Sequence, residues 1–246
     1  MLVQTIPGTA GLSIPGAPVV PNVAYEKTLA RVLQTGDLLC DPSNTAADRW
    51  SGAETWFAGS HSPVANRSAM NNQLCWHFDG TMNCEMEPGF VSNSYTILFV
   101  MERTAAAAGD LFRHSDNYGC GFFHDADTHR FWANVNNINA FDQNEESSEF
   151  LAPGETGFFG VSFDATSDES VYIGKTGALT SQVFTHNGSP DIEGTNGRFM
   201  FGKRLSSNEA GYVGDIIRTS LVLHDPANAQ ILADLTGAMA AKYGLA

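Results

Sequence analysis

The alternation of apolar and polar positions is clearest near the end of the chain. Tyr212–Leu223 is a glycine-flanked, β-branched apolar run, which predicts a central strand. His224-Asp225-Pro226 stops it, because proline cannot donate to a ladder. Asp225 fits an N-cap with Pro226 as first helical residue, where the missing N–H costs nothing. From Ala227 onward Ile231, Leu232, Leu235, Met239 and Tyr243 recur at helical spacing, and Gly244 is placed to end the helix.

Working from the start, residues 1–24 alternate Pro7, Pro15, Pro18 and Pro21 with apolar positions, a composition that favours an extended arm. Two readings of it stand. One is a solvated tail; the other is a docking arm that buries Leu2, Val3, Ile6, Leu12, Ile14, Val19 and Val20 on a neighbour. Residues 25–73 read as a short helix over Tyr25–Gln34, with Leu29, Val32 and Leu33 on one face, followed by an irregular stretch over Asp41–Ala69. A β-domain with the terminal helix is expected over 74–246. Its strands are Cys75–Thr81, Ser94–Met101, Tyr118–Phe123, Arg130–Val135, Gly157–Asp164, Glu169–Gly174 and Arg198–Lys203. Glu102–Asp110 reads as a loop. Turn residues at regular intervals between these runs are those of a sandwich or jelly roll.

Composition narrows the class. With 43% hydrophobic residues and 16 Phe in 246 residues, the chain can bury a sizeable core, and its 24 Gly suit many turns. The net charge of −14 excludes a basic nucleic-acid footprint. No run approaches the ~20 apolar residues of a membrane span. The first residues have neither a basic n-region nor a continuous apolar core, so synthesis in a host cytoplasm without a signal peptide is expected. Cys40, Cys75, Cys84 and Cys120 show no metal spacing and read as free thiols, with a Cys75–Cys84 bridge as the alternative.

Catalytic motifs are missing: there is no nucleophile elbow, no His-Glu-x-x-His and no phosphate loop. The acidic run Glu145-Glu146 and Glu149 lies among Gln, Asn and Ser and reads as a solvated face. An enzyme is therefore not expected. Trp132, Asn134 and Asn136 alternate, so an aromatic platform and two amides would share one strand face, as a glycan site requires. The other reading turns Trp132 into the core.

Two short motifs carry a family resemblance. Gly214-Asp215-Ile216-Ile217 followed by a helix ending in Ala241-Lys242-Tyr243-Gly244 resembles the end of concanavalin A-like, laminin-G-like domains. Phe78-Asp79-Gly80 resembles the strand and turn that open them, and Arg198–Lys203 resembles a later strand. Where the family's first paired strand opens with tryptophan, this chain has Phe158-Phe159; where the second ends near Asp-Gly, it has Ile173-Gly174-Lys175. The resemblance covers about Leu74 to Ala246. It implies a mostly β, concanavalin A-like jelly-roll sandwich with an extended N-terminal arm and a C-terminal helix. The family's hydrolases carry Glu-x-Asp-x-x-Glu on one strand, which is not found here. Calcium is the metal the resemblance implies, and Asp125 and Asp127 of the turn His124–His129 are the best local oxygen cluster; the flanking histidines leave a transition metal open, and the other reading is a polar β-turn that holds no metal. Such domains in tailed phages imply a non-enzymatic virion protein: a capsid decoration, head fibre or tail-associated subunit. Its expected partners are the major capsid protein, further copies of itself and surface glycans. A glycan-binding adhesion module is the alternative function.

Overall fold

The computed structural model describes residues 23–34, 37–40, 42, 55–58, 63–79, 83–86, 94–104, 109–114, 119–124, 129–135, 138–139, 154–164, 168–174, 180–185, 199–201 and 210–245. Side chains are described around the helices and in the central strands. The docking-arm residues Leu2 to Val20 lie outside this set.

The chain is mostly β, with antiparallel sheets and a helix at each end of the described residues. Helix α1 spans Val23–Val32. Strands β1 (Leu38–Cys40), β2 (Thr55–Ala58) and β3 (Pro63–Arg67) follow, then β4 (Gln73–Asp79), β5 (Asn83–Met86) and β6 (Ser94–Arg103). Next come β7 (Gly109–His114), β8 (Gly119–His124), β9 (His129–Val135), β10 (Ile138–Asn139) and β11 (Thr156–Asp164). The chain closes with β12 (Asp168–Gly174), β13 (Thr180–Thr185), β14 (Phe199–Phe201), β15 (Ala210–Thr219) and helix α2 (Ala229–Tyr243). One sheet runs β13-β12-β11-β6-β15-β4-β3, with β1 also on β15; the other runs β10-β9-β8-β7-β14-β5-β2.

Strand β15 is the spine of the first sheet. Along one edge it pairs with β6, and its other edge is shared by β4 at Ala210–Val213 and β1 at Ile216–Arg218. The register against β6 shifts between Val213 and Ile216, a bulge centred on Gly214-Asp215. Alternation then sorts the side chains. Tyr95, Ile97, Phe99 and Met101 of β6 point one way, and Phe99 packs on its register partner Phe159 at 5.1 Å. Leu98, Val100, Phe158 and Ile217 point the other way, into a core with Leu29 and Val32 of α1 and Leu235, Met239 and Tyr243 of α2. Along β6 and most of β15 both faces of the sheet are buried, as in the inner layer of a sandwich backed by helices.

The helices form where the spacing predicts. Tyr25, Leu29, Val32 and Leu33 are all buried, at the positions that make one helical face. The Asp225 carboxylate accepts from the Ala227 N–H, capping a short 3-10 turn with Pro226 at its start, and α2 follows. Gly244, at φ 73°, ends α2 in the left-handed region.

Three expectations need correction. Strand β15 stops at Thr219, not Leu223, because side chains take over the backbone donors beyond it. Asp37 accepts from the Ser220 N–H at 2.7 Å, and the Thr96 hydroxyl from the Leu223 N–H at 3.0 Å. The stretch Asp41–Ala69, read as irregular, holds β2 and β3, too short to show a period of their own. Residues 25–73, set apart from the sandwich in the sequence reading, thus contribute a helix and strands to it. Glu102–Asp110, read as a loop, gives its first two residues to β6 and its last two to β7.

Candidate functional site

The helix-bearing face of the first sheet has two differently built halves. The inner half is a clasp at the β15 bulge. Asp215 is fully buried, and its Oδ2 accepts from the Tyr25 hydroxyl at 2.5 Å and from Lys242 Nζ at 2.6 Å. The Tyr243 hydroxyl donates to Asp215 Oδ1 at 2.8 Å and accepts from the Asp215 N–H at 2.6 Å. That last bond satisfies a donor the bulge takes out of the ladder. Gly214 is required here, since a Cβ would sit 2.5 Å from the Tyr243 ring. The two motifs that carry the resemblance therefore meet in space, Gly214-Asp215 against Lys242-Tyr243. Burial, then the Asp215 charge, pushes the Tyr243 phenol well above its ordinary value.

The outer half is a ledge of half-buried Arg67, His77 and Tyr212 around a buried Glu102. Tyr212 lies opposite His77 on β4 and opposite Glu102 on β6, so three strands set these side chains in a row. The His77 ring stacks on Tyr212 at 4.6 Å between centroids and 17° between planes. Arg67, from the end of β3, lays its guanidinium over the Tyr212 ring at 3.8 Å. Its Nε and Nη2 donate to Glu102 at 2.8 and 2.6 Å, which raises the Arg67 pKa. Arg67 keeps 30% of its side-chain surface exposed, while Glu102 keeps 9%. Cys75 lies between ledge and clasp as a buried free thiol, and burial, then the Asp215 charge, pushes its pKa up to about 12.

A serine–histidine contact also occurs, Ser162 Oγ to His224 Nδ1 at 2.9 Å. Ser162 is fully buried, and its oxygen is also bonded by Thr96 and by the His224 N–H. That geometry braces the exit of β15 and gives a substrate carbonyl no approach.

The residues predicted from sequence fall elsewhere. Trp132 and Asn134 occupy alternate positions of β9, opposite Gly121 and Gly119 of β8. Asn136, Asp125 and Asp127 lie outside the described residues; Asp125 and Asp127 fall between His124 and His129, which pair across the β8–β9 hairpin. Among the described residues no three His, Cys, Asp or Glu side chains gather as a metal site. No helix among them is long and apolar enough to cross a membrane. The ledge residues escaped the sequence reading because they come from four strands, and each alone looks like an ordinary strand position.

No protein-family model and no curated protein matches the chain. Solved structures do share its fold. Domain 4 of AbnA, a GH43 extracellular arabinanase from Geobacillus stearothermophilus, solved in complex with arabinotriose, is 14% identical with a TM-score of 0.57. That match covers 83% of this chain and 99% of that one. The botulinum neurotoxin serotype D ligand-binding domain in complex with N-acetylneuraminic acid is 12% identical with a TM-score of 0.57, covering 83% of this chain and 52% of that one. The receptor-binding domain of the C/D mosaic neurotoxin is 12% identical with a TM-score of 0.57, covering 80% and 51%. This chain thus spans about half the length of the neurotoxin domains. At such identities the likeness establishes a shared β-sandwich fold.

Proposed function

We propose that this protein is a non-enzymatic glycan-binding module on a concanavalin A-like jelly roll. The observation that carries the reading is the fold it shares with an arabinanase domain and a neurotoxin domain, each solved with a sugar bound. The ledge supports it, since the His77 ring stacked on Tyr212 beside the Arg67 guanidinium offers sugars an aromatic group next to hydrogen-bonding ones. The virion role expected from sequence ranks behind it, because the solved structures reported above are an arabinanase domain and neurotoxin domains. The test is a glycan array probed with the full chain. Dose-dependent capture by a defined set of glycans is the expected result; a blank array would sink the reading and return the virion role to first place.

A further inference from the structure

The geometry points to the Arg67–Tyr212–His77 ledge as the sugar-binding surface and to neutral glycans as its ligands, an inference that rests on the glycan-binding reading above. First, the ledge is already ordered. Tyr212, His77 and Glu102 come from adjacent strands in register, and stacking plus a two-point ion pair from Arg67 fixes their orientation. A ligand would therefore meet little ordering cost.

Second, the ledge has polar atoms that no other described residue uses. Among the described residues, Arg67 Nη1, the Tyr212 hydroxyl and both His77 ring nitrogens have no hydrogen-bond partner. The clasp differs, because the hydroxyls of Tyr25 and Tyr243 are both committed to Asp215. One fixed donor beside groups that donate or accept suits sugar hydroxyls, which do both.

Third, charge selects among sugars. Glu102 already neutralises Arg67, and the chain as a whole carries −14. A carboxylated sugar would find no spare cation on the ledge and a repulsive field around it; a neutral one meets neither.

The decisive experiment uses the full chain and its His77→Ala, Tyr212→Phe and Trp132→Ala variants. Each is put on a glycan array and titrated calorimetrically with arabinotriose, cellotriose and N-acetylneuraminic acid, with a thermal melt as folding control. Neutral glycans should bind and N-acetylneuraminic acid should not. His77→Ala should weaken binding by about tenfold, and Tyr212→Phe, which removes one oxygen and leaves the ring, by a few-fold at an unchanged melting temperature. Capture of acidic glycans alone would overturn the inference, as would wild-type affinity in both ledge variants. Loss of binding in Trp132→Ala alone would keep the glycan-binding reading and move its site to β9. An array blank for the wild-type chain would end both.

Discussion

The clasp and the ledge occupy the same face of the same sheet and share strand β15, yet they use polar groups in opposite ways. At the clasp, a buried carboxylate gathers two tyrosine hydroxyls and an ammonium group, and both helices are fastened to the sheet through it. At the ledge, where Tyr212 precedes the bulge, Arg67 is neutralised by Glu102 while no described residue hydrogen-bonds the Tyr212 hydroxyl or the His77 ring nitrogens. Polar groups under a helix must be satisfied internally or they cost stability. Half-buried groups such as Tyr212 and His77 are under less of that demand, so the fold can leave them for a ligand.

If this division is right, substitutions in the clasp should cost stability and those in the ledge should not. The largest effect is expected for Asp215→Ala, which leaves Lys242 and two hydroxyls without their acceptor and should cost about 4 kcal/mol in urea unfolding. Gly214→Ala comes next, at about 2–3 kcal/mol by the same measurement, since its Cβ would overlap a buried tyrosine ring. Tyr243→Phe removes the acceptor of the Asp215 N–H and should cost about 2 kcal/mol.

Alkaline pH should act on the same region. Cys75 and Tyr243 are acids whose folded pKa values are raised, so the fold favours their neutral forms. For Cys75 that stabilisation is complete below the ordinary thiol value of 9.0 and is lost as pH rises through about 12; for Tyr243 it is complete below the ordinary phenol value of 10.0 and is lost well above it. Urea midpoints should fall between about pH 8 and about pH 11, and less steeply in Tyr243→Phe. The smallest effect belongs to the ledge: His77→Ala should change stability by no more than about 0.5 kcal/mol. A larger loss there would blur the contrast between the halves.

Much of the clasp was legible in the sequence. The apolar periodicity of α2, the Asp225-Pro226 start and the Gly244 stop each have a local physical cause, and the structure places all three as expected. The Gly214-Asp215 and Lys242-Tyr243 motifs were visible too, although nothing local says that they touch. The end of β15 was not legible, because it is decided by Asp37 and Thr96, side chains distant in sequence. Strands β2 and β3 were missed because four or five residues carry too little alternation to be seen. The ledge is the extreme case, since only the β-ladder brings Arg67, His77, Glu102 and Tyr212 together. Trp132 drew attention because it alternates with Asn134 and Asn136, a pattern visible within one stretch, whereas a site assembled across strands leaves no such pattern.

The central claim, sugar binding on the outer half of this face, is tested most directly by amide hydrogen exchange with and without saturating arabinotriose. The account predicts slowed exchange in Gln73–Asp79 and in the Ala210–Val213 end of β15, with Ala229–Tyr243 unchanged. Protection confined to Gly119–His124 and His129–Val135, or none anywhere, would contradict it.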